Sequence, residues 1–545
     1  MVLPLSYFFA VAAKAGIAAT AAACSAYDLR RARAGRPIST RIRKRVGLGL
    51  GAAAVAAYFA GAVTGPPRPP NVWTRFYNVW DQYHYFVGAK YFRELRYDGL
   101  YRCSAVALDE LGTIRYAGED GRAAAADLRA EVRAPGRLIR SLVDDNSLVP
   151  AAGALADPGA CRARFTPARW AAFRADVRFF RLAAGPDVWW RMQRDHGFVG
   201  PPAWMIAGST LARLRPAGTR WLQWMAALDL LLLGGMVAAL WWAFGWRVAA
   251  VGAVFWGCQA FSTFFSTGGS FLRQDWLFLL VLSACLARKR RFAPAGAALM
   301  AAGLIRVFPL LLFVGVGAAA AGRLARRRRV PRSWLRFAAG AALAAAVLVP
   351  AGALVAGPRA WPEFVSAVRR LDRTPLANHL GLRVVLSHGV GSGPESGRMK
   401  YAVDASRPDP FARWKSLRLR RWERLRPAGY VLAGACLLWL AWVAGRSRSL
   451  WIVEGISQVC IVLLAQLTSY YYSFPVLAAP LTRARRGLEA PLLAFAAASQ
   501  LVAAAFRYPD DRYAALSVLA LLFTLGLVAA FRGEDSGRED ERGEH

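Results

Sequence analysis

The stretch from Trp80 to Phe92 contains one acid and one histidine among closely spaced aromatic residues, beginning Trp-Asp-Gln-Tyr-His-Tyr-Phe. An acid just outside a membrane span is costly unless it is solvated or functional. Partial desolvation raises the pKa of a carboxylate toward neutrality, which suits a general base. Asp81 is therefore a candidate base that takes a proton from an attacking hydroxyl group. The alternative is that Asp81 caps a helix end or lies on the surface.

Three further residues, His84, Tyr85 and Tyr471, are candidates to line a substrate site. His84 either assists Asp81 or packs among the aromatic residues, and packing is the simpler interpretation. Tyr85 and Tyr471 belong to aromatic groups at 83–92 and 470–472 that we expect to line a cavity. The alternative is that such aromatics form a belt at the membrane interface.

Polar residues within or between apolar runs are candidates for binding an anion. The guanidinium of Arg306 can fork onto two oxygens of a phosphate and stabilise a leaving group. Otherwise Arg306 snorkels, although snorkelling requires a nearby interface. Asn378 and His379 are candidates to hydrogen-bond a sugar or phosphate, or else are ordinary loop residues. Arg273 and Asp275 are expected to pair with each other at a span end.

The elements that must position these residues are membrane helices. The chain has 545 residues, of which 56% are hydrophobic, and apolar runs of about 17–25 residues recur along it. The sequence therefore predicts an all-α polytopic membrane protein with about 9–13 transmembrane helices. The net charge of +37 comes largely from short basic clusters between these runs, as the positive-inside rule expects, so nucleic-acid binding is disfavoured.

Two segments are predicted to enter the membrane and turn back. Residues 292–322 lie between two basic clusters, so they must go out and return if both clusters are on one side. Two helices of about 14 residues rise about 21 Å each, short of the roughly 30 Å hydrocarbon core. The turn at Arg306–Pro309 would then lie in a cavity. Residues 451–481 repeat this pattern, with Tyr470–Tyr472 near the turn, and two such half-depth hairpins indicate a buried site.

The chain is predicted to divide into six parts. The large first loop carries Asp81 and a small folded insert at 104–195, and the second loop carries an interfacial amphipathic helix from Phe411 to Arg426. Single spans are expected at 248–266 and 428–444. The parts are N-terminal membrane helices (1–64), an extracytoplasmic loop (65–200), a membrane core (201–356), a second extracytoplasmic loop (357–427), C-terminal membrane helices (428–531) and a disordered acidic tail (532–545).

The positions of the cysteines indicate the redox compartment of the hydrophilic segment and whether the chain has a metal-binding motif. Cys103 and Cys161 fall in the large hydrophilic segment and could form a disulfide in an oxidising compartment. The other five cysteines lie in apolar runs and act as small hydrophobic residues. No Cys-x-x-Cys or Cys/His cluster occurs, so neither a metal nor a cofactor is expected.

Several segments, in order along residues 80–480, resemble the GT-C superfamily of membrane glycosyltransferases, and glycosyltransferase family 87 most of all. The resembling segments are Asp81 with Tyr83, Tyr85, Ala89 and Leu100-Tyr101; Pro201-Pro202 with Leu211–Pro216 and Trp221; Gly303–Leu312; Asn378-x-x-Gly-Leu; and Leu467–Tyr472. The segment around Arg306 has Arg where that family has Lys. The family's Gly-Gln-x-Asn is replaced by Gly269-Ser270 and Arg273-Gln274-Asp275, and the insert is not expected.

The resemblance implies a GT-C-like bundle and a metal-independent, inverting transfer of mannose or another hexose from a polyprenyl-phosphate donor. The acceptor would be a lipid or glycan hydroxyl on the extracytoplasmic side of a bacterial inner membrane. Asp81 would be the base, and Arg306 with His379 would hold the lipid phosphate. The competing interpretations are a transporter or flippase of a lipid-linked anion, which also uses broken helices, and a membrane-anchored scaffold.

Overall fold

The computed structural model describes residues 5–64, 76–117, 122–143, 146–447 and 449–533. Among these residues, seven helical stretches are long and apolar enough to cross a membrane, which confirms the all-α polytopic fold. Nearly all of the predicted acidic tail lies outside the described residues. The seven stretches are Phe8–Arg33, Thr219–Phe244, Phe308–Arg326, Arg332–Ala356, Ala412–Ala444, Arg486–Ala505 and Pro509–Ala530.

Other helices among the membrane elements are shorter or begin with basic residues: Thr40–Thr64, Trp246–Cys258, Asp275–Arg288 and Phe292–Arg306. The predicted span at 248–266 is wrong in its length, because the helix ends at Cys258. The Gln259 side chain closes a turn there, donating to the Ser262 carbonyl (2.9 Å) and accepting from the Ser262 amide (2.8 Å). Residues 248–258 are all buried. A helix that is apolar on every face because protein surrounds it has the same composition as one that faces lipid.

Both predicted half-hairpins have their turns where the sequence places them. In the first, Phe292–Arg306 has 15 residues, about 22 Å of rise, and is followed by Phe308–Leu310 and Leu311–Arg327. The second breaks at a short strand instead of a tight helical turn. Its elements are Leu450–Ser457, Val459–Leu464, strand Leu467–Thr468, the 3₁₀ turns Ser469–Tyr471 and Phe474–Leu477, and Ala478–Ala484.

The predicted interfacial helix at 411–426 is instead the first half of one continuous helix, Ala412–Ala444. Pro427 lies inside this helix, although the residue before a proline disfavours the helical region. The helix continues because its first half packs on protein. Trp414 is buried and its indole donates to Asp510 (3.4 Å), while Arg418 is buried and donates to the Val384 carbonyl (3.0 Å).

The rest of this loop consists of short elements: Ala360–Asp372, strand His379–Leu380, Leu382–Ser387, Pro394–Ser396 and Met399–Ala402. The strand pairs antiparallel with Leu467–Thr468, so that His379 lies opposite Thr468. This pairing joins the second loop to the turn of the second half-hairpin.

The first loop contributes most of a second apolar cluster, which also includes Leu222 and Met225 of the helix Thr219–Phe244 and touches the membrane cluster at Ile305. Two antiparallel strand pairs, Thr113–Ala117 with Ala123–Asp127 and Leu138–Arg140 with Leu148–Pro150, lie in the insert. The helical elements of the whole first loop are Val79–Gln82, Tyr83–Val87, Gly88–Lys90, Phe92–Leu95, Leu100–Leu111, Leu128–Arg133, Ala151–Leu155, Gly159–Arg162 and Pro167–Met192. The helix Pro202–Arg213 follows the loop.

The structure confirms the Cys103–Cys161 disulfide, with the two Cα atoms 5.5 Å apart. It links the helix Leu100–Leu111 to the helix Gly159–Arg162 across 58 residues of sequence. A disulfide that closes a loop of that size lowers the entropy of the unfolded chain. In the chain-entropy model this raises the free energy of the unfolded state by about 4 kcal/mol.

We therefore expect the Cys103→Ala, Cys161→Ala double variant to melt several degrees below the wild type under oxidising conditions. The measurement is thermal unfolding of purified protein with and without a thiol reductant, which should lower the melting temperature of proteins that keep the disulfide and leave that of the double variant unchanged. Cys24→Ala, which removes an exposed free cysteine on the first helix, is the matched control. Equal melting of the double variant and the wild type would contradict a stabilising disulfide.

Candidate functional site

All seven residues proposed from the sequence line one cavity of about 830 Å³: Asp81, His84, Tyr85, Arg306, Asn378, His379 and Tyr471. The cavity lies where the turns of both half-hairpins meet the start of the first loop and the strand at 379–380. Its volume falls in the range of small-ligand sites. The predicted link between the two half-hairpin turns and one buried site is thus present in the fold, while the role of each residue stays a prediction.

Local capping fixes the position of Asp81. The Asn78 side chain accepts hydrogen bonds from the amides of Trp80 (3.1 Å) and Asp81 (3.2 Å), which satisfies the free N–H groups at the helix start. The Asn78 amide donates to the Gly269 carbonyl (2.8 Å). Gly269 has φ +72°, and a Cβ there would lie 2.9 Å from the Asn78 nitrogen. Only glycine allows this approach, which brings the helix carrying Asp81 against the loop at 268–274.

The partner of Asp81 is Arg273, whose Nη1 lies 3.0 Å from Asp81 Oδ1. The other carboxylate oxygen accepts from the Phe271 amide (3.2 Å). Both charged side chains are buried, and pairing offsets the cost of burying each charge. The predicted Arg273–Asp275 pair is therefore wrong. Sequence proximity favoured it, but the glycine-mediated approach of two distant segments puts Asp81 closer.

Arg273 is a site residue that the sequence interpretation did not include. Its guanidinium carbon lies 4.2 Å from the centre of the Tyr470 ring and 5.4 Å from that of Tyr85. Its backbone is held by Asp229, a buried carboxylate that accepts from the amides of Arg273 (2.8 Å) and Gln274 (3.0 Å). The signal that could have revealed Arg273 is a lone cation between two spans, which requires an acid from elsewhere in the chain.

Arg306 ends the helix Phe292–Arg306, where a cation is favoured by the helix dipole. Its guanidinium donates to the Leu272 carbonyl (3.0 Å) and to its own neighbour Ile305 (3.1 Å). It does not snorkel, because it is buried and lines the cavity. The next residue, Val307, has φ +37°, a conformation that β-branched residues rarely adopt and that turns the chain at this point.

His84 lines the cavity, but both of its ring nitrogens are used within the protein. Nδ1 donates to the Trp80 carbonyl (2.7 Å), and Nε2 lies 2.7 Å from the Tyr101 hydroxyl. That hydroxyl accepts from the Gly197 amide (2.8 Å), so its proton is free for His84 Nε2. The expectation that His84 binds substrate is therefore not supported, and it orients its surroundings instead.

His379 and Asn378 are positioned by the strand pairing at the cavity wall. His379 Nδ1 lies 3.4 Å from the Leu376 amide and 2.5 Å from the Gln466 amide nitrogen. A backbone N–H can only donate, so Nδ1 is the acceptor and the proton is on Nε2. The Asn378 carbonyl accepts from the Ser469 amide (2.8 Å), which leaves its side chain as the part that lines the cavity.

Burial lowers the pKa of His379 to about 3, with further lowering by His196, Arg418 and Arg383. The ordinary pKa is near 6.5, so His379 stays neutral at every pH above about 3. It can donate one hydrogen bond to a phosphate or sugar but cannot provide a positive charge.

For the sugar transfer from a polyprenyl-phosphate donor that the sequence resemblance implies, we expect His379→Gln, whose side-chain amide also donates, to retain activity within about threefold. His379→Ala should lose about tenfold in kcat/KM for the donor, the value of one hydrogen bond to an anion. The pH profile between pH 5 and 8 should be the same for the wild type and His379→Gln. An acidic limb near pH 6.5 that disappears in His379→Gln would contradict a neutral histidine.

The cavity wall on the side of the insert contains two polar residues that the sequence interpretation missed, Asp195 and His196. The Trp80 indole donates to Asp195 Oδ2 (2.6 Å). Burial alone would raise the pKa of Asp195, but the hydrogen bond from Trp80 and the nearby His84 and His196 together hold it below the ordinary value. Burial lowers the pKa of His196. Asp195 is thus an anion and His196 is neutral near pH 7.

The aromatic groups divide between the cavity and the protein interior. Tyr85, Tyr470 and Tyr471 line the cavity, as expected. Tyr83 and Tyr472, predicted in the same wall, are fully buried elsewhere, and the Tyr83 hydroxyl lies 2.9 Å from Ser104 Oγ. The spacing alone did not reveal this division, because a π-helical turn at Tyr83–Val87 changes which side chains share a face.

Among the described residues, one group of three acid or histidine side chains is close enough to share a metal ion: His388, Asp510 and Asp511. These residues do not line the cavity. Arg398 already makes two hydrogen bonds to Asp511, at 3.0 and 2.7 Å, which gives this cluster a cation of its own.

Comparison of the chain with models of known protein families, with curated proteins and with solved structures finds no match. A functional assignment therefore depends on the chemistry of the cavity.

Proposed function

We propose that the protein is a membrane glycosyltransferase that transfers mannose or another hexose from a polyprenyl-phosphate donor to a hydroxyl group. The observation that carries this proposal is a buried carboxylate beside two buried arginines in one cavity. Asp81 pairs with Arg273, and Arg306 lines the same cavity. The Nε groups of both arginines are buried without a hydrogen-bond partner among the described residues. Such under-partnered guanidinium groups suit a phosphate.

The cavity also suits the lipid part of the donor. Apolar side chains from the two half-hairpin turns line it, among them Leu310, Leu311 and Leu464. Phe308 and Tyr471 pack against each other at the same place, with ring centres 5.1 Å apart. A prenyl chain could therefore leave the cavity along apolar surface while its phosphate stays at the arginines.

The reaction follows from these positions. Asp81 takes the proton of the acceptor hydroxyl, whose oxygen attacks the anomeric carbon of the sugar. The bond from that carbon to the phosphate oxygen breaks, and its electron pair leaves with the polyprenyl phosphate. Arg273 and Arg306 stabilise the developing phosphate charge. One displacement inverts the anomeric configuration.

In this mechanism, Arg273 sets the order of donor binding and proton transfer. Before the donor binds, the Arg273 guanidinium occupies one oxygen of the Asp81 carboxylate. A donor phosphate competes for the same guanidinium, and its binding frees that oxygen to take the proton of the acceptor hydroxyl. The proposed extracytoplasmic location in a bacterial inner membrane is consistent with the disulfide in the first loop.

The test uses protein reconstituted with polyprenyl-phosphate mannose and a membrane lipid extract. Release of free polyprenyl phosphate together with mannosylated product is the expected result. No release from a panel of polyprenyl-phosphate sugars would overturn the proposal. Movement of the intact donor across the bilayer without cleavage would favour a transporter.

A further inference from the structure

The two arginines of the cavity and Asp195 lie on different walls. Of the other acids in the lining, Asp81 pairs with Arg273 (3.0 Å) and Asp372 pairs with Arg383 (2.9 Å). Arg273 and Arg306 are the two cations among the described residues that line the cavity, and they belong to the loop at 268–274 and the first half-hairpin. The wall formed by the insert carries Asp195 and His196. An anionic phosphate is attracted to the first wall and repelled by Asp195. The insert wall therefore suits a different, uncharged part of the substrates.

The hydrogen-bond partners of His196 determine which of its nitrogens carries the proton. The Thr374 hydroxyl donates to the Arg370 carbonyl (3.1 Å), so it must accept from the Asn146 amide nitrogen 3.3 Å away. That places the Asn146 NH₂ group toward His196, whose Nδ1 lies 2.7 Å from it. Nδ1 is then the acceptor, and His196 is the tautomer with a proton on Nε2.

The residues behind this wall hold it in place. Asn146 has φ +61°, which asparagine tolerates better than most residues. The Arg140 side chain donates to the carbonyls of Asn146 (2.5 Å) and Arg194 (2.9 Å). One guanidinium thus fixes both the segment that carries Asn146 and the segment that carries Asp195 and His196.

We propose that Asp195 and His196 form the subsite for the acceptor and that the acceptor is a neutral polyhydroxylated headgroup, a sugar or a polyol. The inference rests on the proposed function. Asp195 can accept hydrogen bonds, and His196 can donate one. Adjacent hydroxyl groups of a sugar or polyol match this pair, because each hydroxyl both donates and accepts. Trp80, which holds Asp195, immediately precedes Asp81 in the chain. One hydroxyl of the acceptor therefore reaches the base while its neighbours bind the insert wall.

The test measures KM for the donor and for the acceptor separately, with polyprenyl-phosphate mannose and with octyl mannoside or octyl glucoside as soluble polyhydroxylated acceptors. His196→Ala should raise the acceptor KM about tenfold, the equivalent of one lost hydrogen bond, and leave the donor KM within about twofold. His196→Gln, whose amide can donate from the position of Nε2, should restore the acceptor KM to within about threefold. Asp195→Asn, which keeps an acceptor for the Trp80 indole, should raise the acceptor KM severalfold.

A second readout is the slow release of polyprenyl phosphate with water in place of the acceptor, which reports on donor binding and cleavage separately from acceptor binding. An unchanged acceptor KM in both His196→Ala and Asp195→Asn, with transfer intact, overturns the subsite and leaves the transferase standing. A raised donor KM with an unchanged acceptor KM also overturns it. A wild type that releases no polyprenyl phosphate from any donor overturns the proposed function, and the subsite with it.

Discussion

Asp81→Asn is expected to lower the rate of sugar transfer by about 10²–10⁴-fold, because an amide cannot take the proton of the acceptor hydroxyl. The amide can still accept from the Phe271 N–H, so the local fold keeps that contact. The loss should fall on kcat, since the proposed contacts to the donor phosphate come from the arginines and not from Asp81. The measurement is release of polyprenyl phosphate and of product over time at saturating donor.

Removing the charge of Asp81 also leaves Arg273 buried without its partner, which lowers stability as well as activity. Asp229→Asn is the matched control. Asp229 is a buried carboxylate that holds the same loop through the Arg273 and Gln274 amides, but it does not line the cavity. It should lower the melting temperature comparably and retain most of kcat. More than a tenth of wild-type kcat in folded Asp81→Asn would exclude Asp81 as the base.

Arg306→Ala is expected to lower kcat/KM for the donor by about 10²–10³-fold, because it removes a buried cation from the developing phosphate charge. Arg306→Lys keeps the positive charge but cannot bind two phosphate oxygens in a bidentate way, so it should recover part of the loss in kcat/KM. The sequence resemblance to a family with Lys in this segment makes that variant informative. Donor concentration series in the reconstituted assay would separate the effects on KM and kcat.

The matched control for Arg306 is Arg323→Ala in the second arm of the same half-hairpin. Arg323 is also buried and donates to the Ser447 carbonyl (2.5 Å), but it does not line the cavity. It should cost stability without changing the donor KM. Equal effects of the two substitutions on the donor KM would mean that Arg306 acts through the fold of the hairpin and not through the phosphate.

The two arginines differ in the groups that hold them. Arg306 ends a helix, and its guanidinium donates to the backbone carbonyls of Leu272 and Ile305. Arg273 is held by Asp81 and changes partner if a phosphate arrives. In the proposed reaction, the Arg273–Asp81 pair would therefore make donor binding precede proton transfer.

The sequence by itself determined the fold class and most of the candidate site. Long apolar runs predict membrane helices because backbone polar groups must be satisfied within a helix in lipid. Two basic clusters flanking 31 residues predicted the half-hairpin turn at Arg306, because that segment is too short to cross twice at full depth. The two cysteines in the hydrophilic loop predicted the disulfide. Each of these follows from length, charge or composition within one segment.

Only the tertiary structure decided which residues pair across segments. Asp81 meets Arg273 because Gly269 permits a backbone approach that no local pattern indicates. Asp195 and His196 reach the cavity because a folded insert returns its far end to Trp80, 115 residues away in sequence. The end of a helix at Cys258 and the continuation of another through Pro427 also depended on packing partners. Burial and long-range hydrogen bonds stabilise these arrangements, and neither can be read from the order of residues within a single segment.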